Sequence, residues 1–125
     1  MRRPARPGRL SLSLSLSLSL FVGACGGGLG AAKSDFHKGR FAEAKTELAL
    51  LEPSSRSWNP QRRAEYALYR GLVHYSLGDR AAAGVWLVEA KALEDAQPRT
   101  LDEDDRARLK LALEALAADT APPSP

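Results

Sequence analysis

Cys25, His37 and His74 are the residues of this 125-residue chain best suited to metal ligation, being its one cysteine and its two histidines. A structural or catalytic metal site wants three or four such ligands at close spacing. Here the histidines stand 37 positions apart with no cysteine near either, so no ligand set forms. The run Asp102-Glu103-Asp104-Asp105 gathers carboxylates. It lacks the alternating ligands and central glycine of a calcium loop, and acidic residues in the first turn of a helix are favoured by the macrodipole. Gly26, Gly27, Gly28 and Gly30 suggest a phosphate loop, but no strand precedes them and no Gly-Lys-Ser/Thr follows. Ser54, Ser55 and Ser57 have no histidine–carboxylate pair to activate them. The expectation is a protein that is not an enzyme and has no metal and no catalytic residue.

The remaining chemistry is that of the Cys25 sulfur, and the residues before it say what that chemistry is. Arg2, Arg3, Arg6 and Arg9 make a basic start, and an apolar Leu/Ser run of 13 residues follows from Leu10 to Val22. That length suits a signal-peptide core of about 7–15 residues and is too short for a spanning helix of about 20. The run ends in Val22-Gly23-Ala24-Cys25, an aliphatic residue, two small residues and a cysteine. This tetrapeptide resembles the lipobox of bacterial lipoprotein precursors. The resemblance implies cleavage between Ala24 and Cys25, a thioether-linked diacylglycerol on the Cys25 sulfur, and an acyl chain on its new amino group. The lipids would be the protein's only attached group, and several chains anchor durably where one anchors marginally. An ordinary cleaved signal, or a low-complexity tract ahead of a cytosolic domain, are the alternatives. Arg2-Arg3 suggests twin-arginine export, but Pro4-Ala5 follows where that motif wants polar then bulky apolar residues.

Four of the chain's 18 Lys and Arg precede Cys25, leaving 14 against 15 Asp and Glu, a net charge of −1 for the remainder. Nucleic-acid binding needs a basic excess to displace counterions, so no nucleic-acid partner is expected. With the only cysteine committed to lipid, there is no disulfide framework. Ala, Leu, Glu and Arg dominate, Val is sparse and Ile absent, a composition of helix formers. The expected fold class is all-α.

Punctuation in the chain predicts five helices: Ala31–Lys38, Phe41–Glu52 stopped at Pro53, Asn59-capped Pro60–Leu77, Arg80–Asp95, and a last one to Ala118. The last opens on Thr100-Leu101-Asp102-Glu103, read as a capping box. Ala64, Ala67, Leu68, Gly71, Leu72 and Tyr75 share one face of the third helix, and Tyr66, Tyr69, Val73 and Leu77 a second. That helix should pack on two sides. The domains expected are a signal peptide at 1–24, a lipidated Cys and Gly-rich tether at 25–30, a helical domain at 31–118, and a disordered tail at 119–125.

Gly39, Ala44, Leu48 and Leu51 recur as Gly78, Ala83, Leu87 and Ala90, and Ala32 and Phe36 as Gly71 and Tyr75, every pair offset by 39. A repeated helix–turn–helix unit of this kind resembles the tetratricopeptide repeat, whose period is about 34, with the extra residues falling near Ser54–Asn59. The match is clearest over Ala64–Ala90. Ala67, Arg70 and His74 depart from the family's usual Trp, Leu and Tyr, and Pro98 comes three residues late. The resemblance implies short antiparallel helix pairs with a capping last helix, and a groove for a peptide or partner helix lined by Glu65, Leu68, Leu72 and Tyr75. Leu68 and Leu72 stand where the chaperone-binding subset has carboxylate-clamping residues, which excludes that mode.

These readings point to a membrane-anchored adaptor that binds an envelope protein or peptide. The lipoprotein resemblance implies the outer membrane, facing the periplasm, because Gly26 follows Cys25 where an aspartate would mark inner-membrane retention; the inner membrane is the alternative. Two other readings stay open: a self-associating module, giving a homodimer, and an accessory cell-wall-binding domain contacting glycan through Trp58 and arginines. Trp58, next to Asn59-Pro60, reads first as a staple packing onto the third helix, with an exposed anchor for a partner as the alternative.

Overall fold

Two turns decide the topology. In the computed structural model, which describes residues 28–124, Gly39 and Gly78 have φ of 75° and 86°, a left-handed conformation open to glycine at little cost. Each closes the helix before it with the same hydrogen bonds. Arg40 N–H donates to Asp35 O at 2.8 Å and Asp79 N–H to His74 O at 2.9 Å, while Gly39 and Gly78 donate to Phe36 O and Tyr75 O, both at 3.0 Å. This is a Schellman stop. The 39-residue offset is therefore a repeat of backbone geometry as well as of residue type.

Around these turns the chain forms α1 (Leu29–His37), α2 (Phe41–Ser55), α3 (Pro60–Ser76), α4 (Arg80–Ala96) and α5 (Glu103–Thr120), with no strand among the described residues. The all-α class holds. Helix α3 starts where Asn59 and Pro60 dictate: the Asn59 side chain accepts from Arg62 N–H at 2.9 Å. Asp79 caps α4 in the same way, accepting from Ala82 N–H at 3.1 Å.

Several boundaries differ from expectation. Helix α1 begins two residues early, at Leu29, and ends at His37. Pro53 does not end α2, which runs on to Ser55; there the Ser55 hydroxyl donates to the Glu52 carbonyl at 2.7 Å. Thr100 does not cap α5. Its hydroxyl donates to Gln97 O, and Asp102 is the cap, accepting from Asp105 N–H at 2.8 Å. Helix α5 also runs two residues beyond Ala118, into the expected tail. The lipobox residues, with Ala24 and Cys25, lie outside the described residues.

Helix α3 touches all four other helices, and α5 lies against α3 and α4. The repeated positions form its seams: Ala32, Ala44, Leu48, Ala83, Leu87 and Ala90 are all fully buried. Gly71 has a specific reason to lack a side chain, because a Cβ there would sit 2.7 Å from Leu87 Cγ and Cδ2. The two-sided packing of α3 holds at Tyr66, Tyr69 and Val73, which are buried. It fails at Leu77, which is 44 % exposed because it lies at the turn, as the C-cap.

Candidate functional site

Tyr69 sits midway along α3, where α1 and α5 also converge, and it organises the polar groups of that face. Its hydroxyl donates to Asp105 Oδ1 at 2.9 Å. The His37 Nε2 atom lies 3.3 Å from the same oxygen. Tyr69 has one proton and gives it to Asp105, so this second hydrogen bond requires His37 to donate from Nε2. Phe36 and His37 meet the Tyr69 ring edge-on, and the Lys33 ammonium lies 5.1 Å from its centroid. Burial, then the hydrogen bond to the Asp105 carboxylate, raise the Tyr69 pKa, so the phenol stays protonated.

Asp105 is only 2 % exposed and stands in the first turn of α5, where the helix dipole favours a carboxylate. Arg108 donates to its Oδ1 at 3.1 Å. Its Oδ2 is buried without a hydrogen-bond partner among the described residues. The local signal for this acid was the acidic run itself, which reads equally as a helix start. Its bond to Tyr69 spans 36 positions and has no local signature.

The four residues expected to line a groove fall on this side of α3, yet each has an intramolecular partner or is buried. Glu65 Oε2 pairs with Lys33 Nζ at 3.2 Å, joining α3 to α1. Leu68 is fully buried and Leu72 is 9 % exposed, so neither presents apolar surface to a partner. Tyr75 donates to Asp119 Oδ2 at 2.8 Å, and Arg80 pairs with that carboxylate while lying 4.4 Å over the Tyr75 ring. The accessible rim is thus polar: Lys33, His37, Glu65 and Arg108, with Tyr75 at one end. Nothing in this set is an activated nucleophile, and no three His, Cys, Asp or Glu converge for a metal among the described residues. What the rim offers chemically is an ammonium, an imidazole, a carboxylate and a guanidinium, groups that pair with charge and hydrogen-bond.

His74 lies apart from this face. It is 8 % exposed, with Nδ1 lacking a hydrogen-bond partner among the described residues and 3.9 Å from Asp79 Oδ2. Burial lowers its pKa against the opposing pull of Asp79.

On another side of α3, Trp58 and Trp86 each meet Tyr66 edge-on. Arg62 stacks 4.1 Å over Trp58, and Arg70 4.3 Å over Trp86 while pairing with Glu52 at 2.8 Å. Trp58 is half-buried and staples the α2–α3 connection onto α3. Beside this aromatic group an open cleft of about 340 Å³ is lined by Glu52, Arg56, Arg63, Trp86 and Glu89 among others. Compared with protein-family models, curated proteins and solved structures, the chain matches none.

Proposed function

We propose that this chain is a non-catalytic lipoprotein of the bacterial cell envelope, held by lipid on Cys25 and serving as a protein-binding adaptor. Residues 1–24 are removed on export, and a tetratricopeptide-like domain faces the periplasm from the outer membrane. The observation that carries this reading is a juxtaposition: Val22-Gly23-Ala24-Cys25 lies just ahead of a helical hairpin whose turn recurs 39 residues on. Among the described residues no helix is long and apolar enough to cross a membrane, in keeping with an anchor made of lipid. Tethering confines the domain to a thin layer and raises its effective concentration for partners there.

Metabolic labelling with a clickable fatty acid tests the anchor. Wild type should be labelled and Cys25→Ser should not; unlabelled wild type ends the lipoprotein reading. For the adaptor role, a photoreactive residue at position 37, on the exposed rim of the α1–α3–α5 face, should give discrete adducts in intact cells. Adducts absent here and at positions 33, 65 and 108 end it.

One observation favours self-association as a second reading. Ala81, Val85, Val88 and Ala92 form an exposed stripe along α4, with Val85 67 % and Val88 61 % exposed. Light scattering on the Cys25→Ser protein separates the two, since a dimer disrupted by Val85→Glu supports this reading and a monomer excludes it.

A further inference from the structure

Of the nine arginines among the described residues, six have a carboxylate within 4.0 Å. The three without one, Arg56, Arg62 and Arg99, all belong to one end of the bundle. Arg56 caps the end of α2, Arg62 lies in the first turn of α3, and Arg99 lies in the α4–α5 connection. That end is also where α1 starts. A hollow of about 380 Å³ joins Leu29 and Gly30 to Asn59, Gln61 and Arg62. A second, of about 250 Å³, continues from Asn59 and Gln61 to Arg99 and Thr100. Arg99 is the one non-glycine with positive φ, 69°, among the described residues. Its N–H is held there by Glu94 Oε1 at 2.9 Å.

Chain length ties this end to Cys25. Three peptide units separate Cys25 from Gly28, so their Cα atoms are at most about 11 Å apart. A lipid surface holding Cys25 therefore comes within reach of the first turn of α1, where the headgroup layer is roughly 5–7 Å deep on each side. We propose that this end of the domain rests on phosphate headgroups of the anchoring leaflet, with Arg56, Arg62 and Arg99 as the phosphate contacts and Trp58 at the interface. The inference rests on the lipid anchor proposed above. Guanidinium suits phosphate by its planar donor fork, and a half-buried tryptophan such as Trp58 suits the headgroup level. Each basic side chain near an anionic surface raises affinity about five-fold. Asp102, Glu103 and Asp104 lie at the start of α5 at the same end, and their charge sets the limit of the contact. The domain leans toward its α1–α3 edge, with the start of α5 standing off.

The experiment uses the lipidated protein purified from membranes and reconstituted in phosphatidylglycerol vesicles. Mass spectrometry of the Cys25 peptide comes first: an unmodified Cys25 overturns the anchor and this orientation with it. Given the lipid, limited trypsin digestion of wild type should cut after Lys38 and Arg40, at the opposite end, while the bonds after Arg56 and Arg99 are protected relative to detergent. Arg56→Glu/Arg62→Glu/Arg99→Glu should lose the quenching of Trp58 by brominated phosphatidylglycerol, read in a Trp86→Phe background. A lipidated protein whose Arg56 and Arg99 bonds are cut equally in vesicles and detergent overturns the orientation while leaving the anchor intact. Protection that is as strong on phosphatidylcholine vesicles overturns the assignment of the arginines to anionic phosphate.

Discussion

The Tyr69 hydroxyl and the Asp105 carboxylate, 2.9 Å apart, join the middle of α3 to the first turn of α5. Neither group has a bulk-water alternative, since Tyr69 is 1 % and Asp105 2 % exposed. Tyr69→Phe removes the donor and leaves a buried carboxylate with Arg108 as its remaining side-chain donor. The expected loss is about 1–3 kcal/mol, the cost of a buried acceptor left short of partners. Urea denaturation measures it, and an unchanged midpoint would show that the bond contributes nothing net.

Two glycine substitutions should have opposite signs. Gly71→Ala places a Cβ 2.7 Å from Leu87 Cγ and 3.1 Å from its backbone nitrogen, so α3 and α4 must separate. Overpacking of this kind costs about 1–3 kcal/mol. Gly30, in α1, faces open space: a Cβ added there would meet nothing within 4 Å beyond its own turn of helix. Gly30→Ala should therefore stabilise by up to about 1 kcal/mol. Thermal melts of both variants check the contrast.

Acid should weaken the fold through two groups. Buried His74 has a pKa below its ordinary 6.5, so the unfolded chain takes up a proton before the folded one does. The stability contributed by neutral His74 is complete above that value and is lost as pH falls toward the folded pKa, with no further loss beneath it. The slope is bounded at about 1.4 kcal/mol per pH unit for one proton. Glu52 acts lower: its hydrogen bond and charge pairing with Arg70 hold its pKa beneath 4.5, so its contribution is lost only below that. Urea midpoints from about pH 7.5 to 5.5 should fall in wild type and stay flatter in His74→Gln.

Pro53 lies within α2, where it has no N–H to donate, and its ring crowds the preceding turn. Pro53→Ala should restore one backbone hydrogen bond and raise stability by about 1 kcal/mol or more, after the greater freedom of the unfolded chain is deducted. Calorimetry would expose the opposite result as a melting temperature that falls.

What could be read from the chain alone was what is set within a few residues. Asn59-Pro60 and the two turn glycines mark their boundaries because cap and turn geometry are local. The 39-residue pairing of small and bulky positions was legible because it repeats. Thr100 misled because Glu94, reaching across the loop to the N–H groups of Arg99 and Leu101, reshapes the residues ahead of α5. Pro53 misled because packing outweighs propensity in the last turn of α2. At the candidate site, helical spacing assigned Leu68 and Leu72 to a face correctly but could not say that the face is covered. Tyr69 and Asp105 were invisible as a pair, since only the packing of α5 on α3 brings them together.

Because every other helix leans on α3, the domain is not a row of separable hairpins that peel away one by one. Losing α1 or α5 would shorten the array, but a break within Pro60–Ser76 removes the helix that joins the α1–α2 pair to α4 and α5. The molecule's resistance to proteolysis is thus decided by a single keystone.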